Sequence, residues 1–164
     1  MLALLTTGAT ASVPQEGARN PYLYREQETA LFGMGHSPSS AIQDQIGSQS
    51  TKGIHFLHRA GLSASSPGVW SSGTVTAIET YPAPAKTVKD LFDTSERLLD
   101  TYLETGQLPW VEAQRKDTVD AIVCALVARM HCVCPNQLVA PPGGDGTEDW
   151  IWLPRGVGPS RRKR

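Results

Sequence analysis

The segment RKDTVDAIVCALVARMHC, Arg115 to Cys132, contains the longest apolar run of the chain. Between Ala121 and Met130 only Arg129 is charged, so a helix here must be covered on most sides by the rest of the fold. Asp117 and Asp120 stand three residues apart at its start, and helix periodicity places both carboxylates on one face. The segment therefore predicts a buried helix with two acids in its first turns.

The two acids have two interpretations. A pair of carboxylates at the mouth of a buried helix is suited to a divalent metal, because hard cations prefer oxygen ligands. Alternatively, Asp117 is an N-cap and Asp120 interacts with the positive end of the helix dipole, which needs no ligand. The pair alone leaves both interpretations open.

Length and charge set limits on the class of protein. The 164 residues suffice for one domain with a single core, and a net charge of -1 gives no global signal for nucleic acid or membrane. The last four residues, 161–164, are all basic. No run approaches the length of a membrane helix, and the apolar start at Met1–Leu5 is too short for a signal peptide. We expect a cytoplasmic protein without a membrane partner, whose oligomeric state the sequence leaves open.

The remaining pattern alternates between candidate helices, strands and loops. Ser39 or Ser40 is a candidate helix cap, Gly61 is placed to end that helix, and Asp93-x-x-Glu96 resembles a capping box. The predicted elements, in chain order, are a short helix or functional loop at Tyr22–Phe32, a helix to Ala60, a loop at Ser63–Gly73, a strand at Thr74–Tyr81, a helix from Asp93 to Thr105, the helix described above, and a last strand at Asp149–Pro154.

Glu79 adds a third acid at the carboxyl end of the predicted strand. Ligands of open α/β sheets gather at such strand ends, although an exposed strand-end acid would give the same pattern. Glu79, Asp117 and Asp120 together could hold Mg²⁺ or Mn²⁺. Two such ions about 4 Å apart stabilise the attacking and leaving oxygens of a phosphodiester displacement. The three acids therefore indicate a metal-dependent phosphodiesterase.

Three cysteines lie close together in the sequence. Cys124 falls within the apolar run and is typical of a small core residue. His131, Cys132 and Cys134 suggest a zinc clip, but the chain offers no second ligand pair at a useful spacing. A zinc-binding module is therefore a further alternative.

Several segments together resemble the predicted ribonuclease-H-like nuclease family catalogued as domain of unknown function 429. They occur in the order of that family and span roughly Tyr22 to Pro154; the E-x-Y-P-A and K-D-x-x-D-A pieces are the most specific. The matching stretches are Tyr24–Glu28 (YREQE), Ser37–Ser40 through Asp44–Gly47 (SPSS, DQIG), Ala77–Ala83 (AIETYPA), Lys116–Leu126 (KDTVDAIVCAL) and Asp149–Pro154 (DWIWLP).

The resemblance implies a ribonuclease-H-like fold, a mixed sheet flanked by helices. It implies that Glu79 is the strand-end acid and that Asp117 and Asp120 are the paired acids of the C-terminal catalytic helix, with Mg²⁺ or Mn²⁺ as cofactor and nucleic acid as partner. Arg25 and Glu28 match the R-x-x-E segment of the family, and Asp44 falls in another matched segment.

We predict that Arg25, Glu28 and Lys116 contact the substrate; Arg115 is an alternative phosphate contact beside Lys116. For both bases, a solvated helix face is the alternative interpretation.

One feature of the family is missing from the sequence. Its members open with a strand that carries G-x-D, and nothing before Tyr22 has this pattern. We therefore expect an N-terminally truncated domain, either a fragment or a shortened relative, with an irregular segment at 1–21, the incomplete ribonuclease-H-like domain at 22–154 and a basic disordered tail at 155–164. Without that aspartate we expect poor activity, and the alternative function is a non-catalytic module that binds nucleic acid or protein.

Overall fold

A computed structural model describes residues 26–38, 47–104, 114–139 and 150–159. Over these ranges the fold is mixed α/β and combines five α-helices with a three-stranded antiparallel sheet of order β1-β2-β3, which confirms the α/β class. The elements are α1 (Glu26–Gly33), α2 (Gly47–Arg59), β1 (Ser63–Ser66), β2 (Val69–Ser71), β3 (Thr76–Ile78), α3 (Pro82–Ala85), α4 (Lys89–Glu104) and α5 (Arg115–Val133).

The core forms around α5, as the apolar run predicts. Val119, Val123 and Val127 are buried at a spacing of four residues, so one stripe of the helix faces inward. Leu99 of α4 and Leu138, which follows α5, belong to the same buried cluster. This packing fixes the start of α5, and with it the two acids, relative to the rest of the fold.

The hairpin of β1 and β2 occupies a segment that the sequence assigns to a loop. Ser63 pairs with Ser71 and Ser66 with Val69, and a two-residue turn connects the strands. All four residues of β1 are exposed and three of them are serine, so neither apolar alternation nor β-branched residues mark the strand. β3 pairs with β2 and is shorter than the strand predicted from Thr74 to Tyr81.

The helix boundaries differ from the prediction at α4. The helix begins at Lys89, so Asp93 lies within it, where its carboxylate forms an ion pair with Lys89. The predicted capping box at Asp93 is therefore wrong. Gly61 ends α2 as predicted, with a positive φ of 66°, and the Leu62 amide donates to the Leu57 carbonyl at 2.9 Å.

The segment 150–159 joins several distant parts of the chain. Where the sequence predicts a last strand, Trp152 forms a parallel bridge with Thr80 and Pro154 an antiparallel bridge with Leu138. Part of the predicted disordered tail is also hydrogen-bonded, because the Gly158 amide donates to Thr87 Oγ1 at 2.9 Å. This segment therefore connects the residues after β3 with those after α3 and after α5.

No helix within the described ranges combines the length and the apolar character needed to cross a membrane.

Candidate functional site

The two acids of α5 occupy different environments. The N-cap of α5 is Gln114, so Asp117 is not the N-cap but lies in the first turn, exposed to solvent and favourably placed for the helix dipole. Asp120, one turn further on, is half-buried. Of the two acids, only Asp120 is therefore partly shielded from solvent by the rest of the fold.

Asp120 forms an ion pair with Lys86. Lys86 caps the carboxyl end of α3, and α3 packs on α5, so the two helices bring the ammonium and the carboxylate together across 34 positions of sequence. Their side chains are 23% and 27% exposed, which places the pair at the edge of the core rather than in bulk water. A partly buried pair of this kind interacts more strongly than one on the open surface.

Tyr81 lies just before α3, close enough to Asp120 to be affected by its charge. Its backbone is extended, and its hydroxyl donates to the Ser37 carbonyl oxygen at 3.2 Å. Burial raises the pKa of Tyr81, and the negative charges of Asp120 and Glu28 raise it further. Glu28 is only 6% exposed, so α1 contributes a buried carboxylate to the surroundings of this phenol.

We call Glu28, Tyr81, Lys86 and Asp120 the strand-end cluster. Its members come from α1, from the connection between β3 and α3, from the carboxyl end of α3 and from α5. Cys124 lies one turn after Asp120; burial, followed by the charge of Asp120, raises the pKa of its thiol, and Lys86 acts in the opposite direction. The cluster combines two carboxylates, a phenol and an ammonium in a partly desolvated setting.

Glu79 directly follows the last residue of β3. Its amide donates to the Gly68 carbonyl at 2.9 Å, and its carbonyl accepts from the Trp152 amide at 2.8 Å. The backbone is therefore held from both sides, and the half-buried side chain stands two residues before Tyr81. The residue lies at a strand end, as the sequence indicates.

The predicted metal ligands Glu79, Asp117 and Asp120 have carboxylate oxygens, which suit Mg²⁺ or Mn²⁺. Within the described residues, however, no three or more His, Cys, Asp or Glu side chains come together in a group that could hold a metal ion. Asp120 is instead paired with Lys86. As arranged here, the three acids do not form a metal site.

The proposed zinc ligands do not form such a group either, within the same ranges. Cys132 is exposed, and the ring of His131 packs edge-on against Trp152 with the ring centroids 4.8 Å apart. His131 therefore has a packing role beside the C-terminal segment.

The predicted substrate-binding bases also differ from each other. Lys116 is exposed at the start of α5, whereas Arg115 Nη2 donates to Glu96 at 2.5 Å and to Asp100 at 2.9 Å. These hydrogen bonds raise the pKa of Arg115 above its ordinary value. Arg115 thus links α5 to α4, whereas the substrate contact of Lys116 stays a prediction.

Arg25 and Asp44, also singled out by the sequence, lie outside the described residues.

Sequence reasoning did not select Tyr81 or Lys86. Tyr81 belongs to the E-x-Y-P-A motif, so the motif itself contained a signal that the tyrosine has a role. Lys86 has no such signal, because only the packing of α3 on α5 brings it to Asp120.

Comparison of the chain with protein-family models, with curated proteins and with solved structures found no significant match.

Proposed function

We propose that this chain is a metal-dependent nuclease of the ribonuclease-H-like class, with the strand-end cluster at its centre. The observation that supports this most is the approach of Asp120 from α5 and Glu28 from α1 to Tyr81, next to the acid that ends β3. Carboxylates are the ligands that Mg²⁺ and Mn²⁺ prefer, and such ions can stabilise the attacking and leaving oxygens of a phosphodiester displacement. The motifs quoted above support the same class.

In this proposal Glu79, Asp117 and Asp120 would provide the oxygen ligands for Mg²⁺ or Mn²⁺, which requires a rearrangement of the acids in which Asp120 leaves its ion pair with Lys86. A bound divalent ion supplies an activated water and neutralises the charge that develops on a phosphodiester. Lys86 adds a compact positive charge suited to a phosphate oxygen, and the exposed Lys116 adds a second at the start of α5. Nucleic acid is the substrate class that matches these groups.

Cleavage of end-labelled single-stranded and duplex DNA and RNA, with Mn²⁺ and with EDTA, tests the proposal. We expect cleavage by the wild-type chain only with metal, and none by Asp120→Asn, which removes the carboxylate charge without changing the side-chain size. Asp93→Asn is the matched control, because Asp93 is also paired with a lysine but lies on α4. Wild-type rates in Asp120→Asn would exclude Asp120 from the reaction.

A second function, a non-catalytic module derived from a nuclease fold, is favoured by the Lys86–Asp120 pair itself. The Lys86 ammonium is paired with the Asp120 carboxylate that a metal would need. The described residues also contain no group of three or more His, Cys, Asp or Glu side chains that could hold a metal ion. Melting temperature measured against Mn²⁺ concentration distinguishes the two functions, because a ligand that binds only the native state raises it by mass action. A rise that disappears in Asp120→Asn supports the nuclease, and no rise at millimolar Mn²⁺ supports the module.

A further inference from the structure

One exposed face of α2 combines positive charge with an aromatic ring. Lys52, His55, Phe56 and Arg59 follow the spacing i, i+3, i+4, i+7, which brings four side chains to the same side of a helix. All four are exposed, Phe56 at 64%. We call these residues the basic–aromatic face; within it Phe56 lies one turn from Lys52 and three residues from Arg59, so the ring stands between two cations.

No nearby acid in the sequence balances this charge. From Gln45 to Ile78 the chain contains no aspartate or glutamate, a range that includes α2 and all three strands. Among the described residues, the extensive contacts between elements join α4 and α3 to α5 and the strands to one another, and α2 takes no part in them. The basic–aromatic face is therefore open and positively charged.

We propose that the basic–aromatic face binds single-stranded nucleic acid. Lys52 and Arg59 would contact backbone phosphates, and Phe56 would stack on an unpaired base between them. Proteins that bind single strands without sequence preference combine these two elements, a cationic track and aromatic platforms. The choice of partner rests on the proposed nuclease function, whereas the charge and exposure of the face do not.

The arrangement of apolar residues on α2 favours a nucleic acid over a lipid surface. A helix that lies on a membrane needs one continuous apolar face opposite its basic face. Ile54 and Phe56, the two strongly exposed apolar residues of α2, point roughly 160° apart at ~100° per residue. Phe56 belongs to the basic side, where a single ring serves a base better than an acyl chain.

Fluorescence anisotropy of a labelled oligothymidylate, titrated with the full chain in EDTA, tests the proposal without cleavage. Lys52→Glu/Arg59→Glu should weaken binding and reduce the slope of log affinity against log salt by about 1.4, about 0.7 for each lost phosphate contact. Phe56→Ala should weaken binding by about tenfold and leave the salt slope unchanged. Phe56→Trp, which keeps an aromatic ring at this position, should bind as tightly as the wild type.

The matched control is Arg97→Glu/Arg129→Glu, which makes the same change in net charge at exposed residues of α4 and α5. Equal loss in the control, or no loss in either variant, overturns the proposal. Circular dichroism shows whether the charge reversal Lys52→Glu/Arg59→Glu unfolds α2. If it does, the neutral variant Lys52→Gln/Arg59→Gln repeats the test. Binding to phosphatidylserine vesicles but not to the oligonucleotide also overturns it, whereas binding without metal-dependent cleavage contradicts only the nuclease.

Discussion

The ion pair of Lys86 and Asp120 differs from the other lysine–aspartate pair described in the structure mainly in burial. Both side chains of the first pair are about one quarter exposed, at 23% and 27%, whereas Lys89 of the second pair is 83% exposed. Water and salt screen an exposed pair and reduce its contribution to stability. The first pair should therefore couple α3 to α5, while the second affects little beyond α4.

A double-mutant cycle measures this difference. We expect Lys86→Met and Asp120→Asn to show a coupling free energy of about 1 kcal/mol in urea unfolding. The matching cycle with Lys89→Met and Asp93→Asn should show a smaller coupling. Equal coupling in both cycles would mean that burial does not strengthen the first pair.

Gly68, in the turn between β1 and β2, has a steric requirement that Gly61 does not share. Both glycines have φ of 66°, but a Cβ on Gly68 would lie 1.8 Å from the Trp150 carbonyl oxygen, whereas one on Gly61 meets nothing within 4 Å. We expect Gly61→Ala to cost about 1–2 kcal/mol, the strain of a left-handed backbone. Gly68→Ala should cost roughly 3 kcal/mol or more, because the close approach must also be relieved. Equal losses in thermal or urea unfolding would contradict this packing.

The cysteines should differ in reactivity. The thiolate is the reactive form, and burial together with Asp120 raises the pKa of Cys124, while Cys132 is exposed. Iodoacetamide at about pH 8 should therefore modify the exposed Cys132 well before Cys124. Peptide mass spectrometry over time measures both rates, and faster modification of Cys124 would contradict its burial.

Among the elements, α4 and α5 contribute most of the buried hydrophobic cluster around α5. Leu99 is 1% exposed and belongs to the same buried cluster as Val123 and Val127, whereas its neighbour Leu98 is 39% exposed. Leu99→Ala should cost about 2–5 kcal/mol, because it removes apolar contacts and leaves a cavity. Leu98→Ala should cost clearly less in the same unfolding experiment. A comparable loss for both would mean that α4 faces α5 with a different side.

The sequence predicts elements well where burial imposes a pattern. α5 has a long apolar run and α2 ends at a glycine, and both follow from local chemistry. The β1–β2 hairpin does not, since an exposed serine-rich strand depends on pairing rather than on its own side chains. The early start of α4 was missed for a similar reason, because the Asp93 motif occurs inside a helix whose first turn has no such motif.

The residues of the candidate site also divide into those that the sequence predicts and those that only the packing brings into the site. Asp120 could be selected because it stands at the mouth of an apolar helix, and Glu79 because branched residues precede it. Lys86 comes to Asp120 only through the packing of α3 on α5. Glu28 was selected by motif resemblance, and only the structure gives it a position, buried in the neighbourhood of Tyr81.

Over the whole molecule, the C-terminal segment ties the site to the core. The Trp152 amide donates to the Glu79 carbonyl at 2.8 Å, and the Ile151 amide donates to Gln27 Oε1 at 2.5 Å. His36 Nε2 lies 3.0 Å from the Gly158 carbonyl oxygen. One segment thus forms hydrogen bonds with both the end of β3 and α1, two of the elements next to the strand-end cluster.

We propose that a divalent ion binds at Glu79, Asp117 and Asp120, beside the strand-end cluster, and paramagnetic broadening by Mn²⁺ in an amide NMR spectrum of the full chain tests this most directly. We predict that small additions of Mn²⁺ first broaden the amides around Glu79, Asp117 and Asp120, and that Asp120→Asn removes this selectivity. Broadening that begins at the exposed acids of α4, or that spreads evenly over the surface, would contradict the claim.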